Sequence, residues 1–319
     1  MTDQRDPRPG RQSRLPSGIL AVLLPLASCR TPSGSAEPAQ ADAGSGTPQA
    51  PLASSAKMPP PPDGLAIPSA VVEAAVNPSH LPAYSGPTGS VEGTVLVRGP
   101  EAPDVPNIDV HSCPAALDTY GKLFREGPAR ADGLRPVPDA VVVVTGYSDS
   151  FIPAKGDAER VMIGANCGYA ERTIAMTFGQ RLEISNSSKI AFAPVLSGAP
   201  RAAIMIAPPL LNGDPVKLYP ARPGHFMLGD QIQPFVREVV LVLRQPLHAI
   251  SDGAGHYRID GVPVGKLKVG TQLEAINSQS EKDVEVRANV VEEVDFELTY
   301  APASSSGPDA GPGHFKVIP

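Results

Sequence analysis

Between residues 89 and 300 apolar and polar residues alternate mostly with a period of two, which predicts strands rather than helices. Ser90–Arg98 (SVEGTVLVR) alternates cleanly and reads as the first strand, with Asn107–Val110 a candidate second. Ala140–Val144 carries an unbroken run of valines, the mark of a central strand buried on both faces. Arg160–Ile163, Arg172–Met176, Arg181–Ser185, Ala202–Ile206 and Val216–Tyr219 follow at the spacing of a sandwich or barrel. Val239–Leu243 is another central run. Tyr257–Ile259, Lys266–Ala275, Asp283–Val286 and Val294–Leu298 complete the set. Gly, Pro, Asn and Asp punctuate these segments, as in an antiparallel β protein. Leu65–Val76 (LAIPSAVVEAAV) alone has a helical pattern, enough for a turn or more.

Composition divides the chain further. The 38 prolines are densest in the first ninety residues, and residues 301–319 are again low in complexity. Residues 29–88 cannot bury enough apolar surface to offset their ordering entropy and read as a disordered tether. Ahead of them, Arg5, Arg8, Arg11 and Arg14 precede a short apolar run, Ile19–Leu24, then Leu26-Ala27-Ser28-Cys29. A charged start, a short apolar core and small residues make a secretory signal too short to span a membrane. The last four of these residues resemble a bacterial lipobox, which implies acylation of Cys29 after removal of residues 1–28. An ordinary signal peptide ending near a cysteine is the alternative. Arg30 follows, not the Asp that favours inner-membrane retention in such lipoproteins, so the resemblance implies outer-membrane anchoring. A net charge of −6, 5% aromatic residues and no Trp argue against a nucleic-acid binder.

Two stretches of the β region resemble known families. Gly179–Ser188 (GQRLEISNSS) is similar to the strand and Asn-Ser turn of cupredoxin-like domains of the methylamine-utilisation or plastocyanin-like group. Asp252–Gly265 (DGAGHYRIDGVPVG) resembles the hallmark turn of the carboxypeptidase regulatory-like domain, a transthyretin-like sandwich in which Tyr257 and Ile259 would face one core. The resemblances imply an all-β chain: a Greek-key cupredoxin-like sandwich over 89–237, then a small transthyretin-like sandwich over 238–300. The two could share a strand.

A blue-copper centre needs two His, a Cys thiolate and usually an axial Met. At the positions the cupredoxin resemblance assigns to them stand Phe192, Asp230, Gln233 and Val236. No Cys lies anywhere in Gly179–Pro319. The expected result is a scaffold whose copper site is lost, with no metal or other cofactor. Under the alternative, a copper-binding or electron-transfer protein, His225 and Met227 at strand spacing, with Met176 and Met205, would form a thioether-rich site. Core methionines and a His in the turn after Pro223-Gly224 are the plainer reading. His248 and His256 read as surface residues, His111 as the end of a strand, and His80 and His314 as parts of disordered segments.

Apart from Cys29, the chain has Cys113 and Cys167. In an exported protein an even pair points to one disulfide, with two buried free thiols as the other possibility. No Gly-x-Ser-x-Gly, His-Glu-x-x-His, phosphate-loop or Cys-x-x-Cys motif is present, so no enzyme is expected. These readings converge on a non-catalytic, envelope-anchored binding or structural lipoprotein. Its partners would be the membrane, through the lipid, and an envelope or extracellular protein or glycan.

Overall fold

The computed structural model describes residues 66–147, 149–198 and 204–302. Cys29, the signal segment, most of the tether, His314 and the tail from residue 303 lie outside the described residues. Helix α1 (Ser69–Val76) leads into β1 (Thr88–Arg98). After the short helix α2 (Leu117–Tyr120) come β2 (Arg135–Pro136) and β3 (Val141–Thr145). Strands β4 to β10 are Ala158–Ile163, Thr173–Thr177, Arg181–Asn186, Pro194–Leu196, Val216–Leu218, Gly224–Asp230 and Arg237–Leu243. Strands β11 to β16 are His248–Ile250, His256–Pro263, Gly265–Leu273, Ser278–Val286, Val291–Glu293 and Phe296–Thr299.

β1 is the spine of one sheet, antiparallel to β12 and β2 and parallel to β15 and β16. β3 sits inside a second, in the order β11-β3-β13-β14. Between them lies a core that includes Val91, Val95, Val142, Val144, Tyr257, Ile259 and Phe296. The strands between β3 and β11 form two further sheets, β5-β10-β9-β7 and β4-β6-β8. Their core contains Ile163, Met176, Leu182, Ile184, Phe192, Leu228 and Val240. Burying a side chain of this size contributes roughly 1.5–3 kcal/mol each.

The two sandwiches meet through a small third cluster of Val141, Val143 and Ala175, against which Leu241, Leu243 and Ile250 pack. This contact explains the unbroken valines of β3. Val142 and Val144 enter one core, while Val141 and Val143 cover the neighbouring sandwich. β5 divides in the same way, Ile174 and Met176 facing inward and Ala175 outward.

Sheet pairing redraws the boundary expected at 237/238. β1 and β3, both early in the chain, hydrogen-bond to strands of the 248–299 region. One sandwich therefore interrupts the other, and β1, β2 and β3 belong with the C-terminal strands. The tether also ends earlier than residue 88. Val72, Ala75 and Val76 on α1 pack against the inserted core, and His80 is a described residue that meets Glu73 at 3.0 Å. Asn107–Val110 is not a strand but a turn with Asn107 at φ 55°, and His111 lies in a further turn. Of the strand expected at 202–206, the described residues 204–206 are irregular. β9 replaces the turn expected around His225.

The Asp252–Gly265 stretch folds as its residue types require. Asp252 Oδ1 accepts the amides of Ala254 and His256, each at 2.9 Å, and Gly255 takes φ +78°. Tyr257 and Ile259 enter the same core, as expected. Gly261, at φ +79°, is the extra residue of a bulge, because Gly89 pairs with Val262 and Ser90 with Asp260.

Candidate functional site

The end of the inserted sandwich where β9 turns into β10 gathers the positions singled out for lost ligands. Asp230 is the last residue of β9 and pairs with Pro194 of β7, while the Gln231 amide donates to Ala193 O at 3.0 Å. Gln233 is buried, and both ends of its amide are engaged. Its Oε1 accepts from Ser112 Oγ at 2.8 Å and its Nε2 donates to Ala191 O at 3.0 Å. Phe192 has no exposed surface and meets Phe235 edge-on, with ring centroids 6.5 Å apart. Val236 fills the same core.

Asp230 Oδ1 accepts the amides of Ile232 and Gln233 at 2.8 and 2.9 Å, closing the turn. Burial raises its pKa above the usual carboxylate value, and those amides pull it partly back. The turn is packed and internally bonded except at Asp230 Oδ2, which is buried with no hydrogen-bond partner among the described residues. A blue-copper centre does not fit these residues: there is no thiolate or imidazole in the set, and the amide and one carboxylate oxygen already serve the fold.

The Cys113–Cys167 disulfide, with Cα atoms 6.4 Å apart, lies beside this end of the sandwich, and the free-thiol alternative falls. Neither His225 nor Met227 belongs to a thioether cluster. His225 Nε2 meets Glu274 Oε2 at 2.6 Å, linking β9 to the 3-10 turn Glu274–Ile276 of the other sandwich. Met227 is exposed, Met176 is sealed in the inserted core, and Met205 packs against that core. Among the described residues no three His, Cys, Asp or Glu side chains group as a metal ion requires.

His256 is exposed, as expected, with Nδ1 3.3 Å from Thr94 Oγ1. His248 is not a surface residue. It is half-buried on β11 opposite Val143, and burial lowers its pKa to about 4.

Sequence reading missed the buried polar group under the turn. Glu238, on β10, has no exposed surface; Tyr120 Oη donates to its Oε1, and its Oε2 has no partner among the described residues. Burial raises its pKa to about 8, against the opposing effects of the Tyr120 hydrogen bond and the Arg172 charge. Arg172 lies 5.9 Å from the Tyr120 ring centroid and donates to Lys122 O and Leu123 O at 2.9 and 3.1 Å. Its amide binds Asp139 Oδ1 at 2.7 Å, and Asp139 is itself paired with Arg125. One signal was present: Glu238 shares the parity of Val240 and Val242, so a charge stood in phase with the buried positions of β10.

No protein-family model and no curated protein matches the chain. Among solved structures it is similar to a Cu(I) form of an amicyanin variant, at 18% identity over 28% of this chain and 85% of that one, with a TM-score of 0.23. A purple cupredoxin from Nitrosopumilus maritimus aligns at 16% identity over 27% of this chain and 99% of that one, with a TM-score of 0.22. A reduced amicyanin variant aligns at 19% identity, 31% and 98% coverage, and a TM-score of 0.23. Superpositions this loose define neither a family nor a site for this chain.

Proposed function

We propose that the protein is a non-catalytic binding or structural module of the cell envelope, anchored through Cys29, in which a cupredoxin-like sandwich has lost its copper site. The observation that carries this reading is the bonding of Gln233. Its amide is spent on Ser112 Oγ and Ala191 O, beside a sealed Phe192. Residues at those positions stabilise the turn instead of offering open coordination. With no nucleophile and base brought together there, the loops and surfaces around the two cores are left for recognition.

Copper analysis tests the reading. After dialysis against a mild chelator the protein should retain no stoichiometric copper and show no thiolate-to-copper absorption. Combining Phe192→His, Asp230→Cys, Gln233→His and Val236→Met should restore some colour. One equivalent of tightly held copper in the unaltered protein would refute the lost-site reading. The anchor is tested separately by fatty-acid labelling, which Cys29→Ser should abolish; unlabelled protein that stays on the membrane in both forms counts against it.

A further inference from the structure

A cleft of about 250 Å³ opens at the margin of the contact between the two sandwiches. Its walls are apolar, from Leu123, Phe124, Met227, Val239 and Leu273. Ligand sites favour such junctions, where apolar walls carry a few polar groups that orient the ligand.

The charges along the cleft are unequal in their commitments. Two acids line it, and each already has a side-chain partner: Asp139 is held by Arg125, with Nε to Oδ2 at 2.7 Å, and Glu274 Oε2 lies 2.6 Å from His225 Nε2. Two arginines also line it. Arg237 is exposed at the start of β10 and has no ion-pair partner among the described residues. Arg172 is tethered to Lys122 O and Leu123 O through one nitrogen, Nη1, and its guanidinium makes no ion pair among the described residues, although its charge reaches the buried Glu238. Because burial raises Glu238 to about 8, Arg172 faces a largely protonated acid near neutral pH. The cleft thus joins an apolar surface to two arginines that have no ion-pair partner among the described residues.

We propose that this cleft binds a small organic anion with an apolar body, the anionic head held by Arg237 and Arg172 and the body lying against Met227, Val239 and Leu273. The inference deepens the binding-module reading and stands apart from the copper question. Copper uptake would refute the lost site and leave the cleft data intact; failure of the cleft would leave the copper result intact.

The test is calorimetric titration of the purified protein with octanoate and with octanamide, its uncharged counterpart. Octanoate should bind roughly tenfold more tightly, the scale of a charge-assisted hydrogen bond. Arg237→Ala, on an exposed side chain that the fold does not use, should bring octanoate down to the octanamide level, while Arg237→Lys should recover part of the difference. Met227→Trp, which narrows the cleft from its exposed side, should weaken both ligands. Equal affinities for the two ligands, no effect of Arg237→Ala, or no octanoate binding at millimolar concentration would each overturn the proposal.

Discussion

Ser112 Oγ donates to Gln233 Oε1 at 2.8 Å, one residue from the disulfide that joins Cys113 to Cys167. The hydrogen bond ties the β9–β10 turn to the loop that carries the bridge. The bridge spans a sequence separation of 54. Closing a loop of that length restricts the unfolded chain and contributes about 4 kcal/mol. Replacing both cysteines by Ala should therefore lower the Tm by roughly 10 °C. Ser112→Ala should cost only about 1 kcal/mol. Thermal unfolding with and without reductant checks both, and reductant should reproduce the loss of the double variant. An unchanged Tm in the double variant would show that the bridge does not stabilise the fold.

Glu238 makes stability depend on pH in a stated direction. Burial raises its pKa from 4.5 to about 8, so the folded chain holds the proton more tightly than the unfolded chain. Its contribution is full below 4.5 and is lost as pH rises through about 8. Glu159, Glu171 and Asp230 shift the same way, with burial the largest cause in each. The urea midpoint should fall between about pH 5 and about pH 9, and Glu238→Gln should flatten that fall while keeping an acceptor for Tyr120. An equal slope in wild type and variant would contradict the assignment to Glu238.

Phe192 tests how far the β9–β10 end of the inserted sandwich is packed core. The side chain is sealed and lies against Phe235, which also meets Tyr120 at 5.7 Å between ring centroids. Phe192→Ala should cost about 3–5 kcal/mol and leave the β-sheet circular dichroism intact at low temperature. A loss below about 1 kcal/mol would mean that the position tolerates an open site.

Gly93 and Gly261 should respond differently to Ala. A Cβ at Gly93 would lie 2.1 Å from Val294 O, where β1 passes the link between β15 and β16. Backbone must move to admit it. A Cβ at Gly261 meets nothing, although its φ of +79° disfavours any side chain. Gly261→Ala should cost about 1 kcal/mol, the usual penalty for a left-handed position, and Gly93→Ala clearly more. Chemical denaturation of the two variants gives the comparison, and the reverse order would contradict the close approach at Gly93.

What the residues of this chain determine by themselves is local. The alternation of Ser90–Arg98 and the turn chemistry of Asp252–Gly265 are both legible, because side chains on a strand alternate faces and glycine alone takes the positive φ of those turns freely. The same holds for the residue identities at 192, 230, 233 and 236, which exclude a thiolate there whatever the packing.

Partnership was decided only by the tertiary structure. A period of two tells which face of β1 is apolar, but not that Val91 pairs with Ile259 or Val95 with Phe296, far along the chain. The valine run in β3 reports burial on both faces without naming the second cover, which is Ala175 and its neighbours. β9 stayed hidden because His225 and the glycines around it read as a turn, and hydrogen bonds to both β7 and β10 made it a strand. Glu238 stands as a single charge ahead of the Val239–Leu243 run, and only its pairing opposite Leu228 places it inside a core, where the loss of water sets its chemistry.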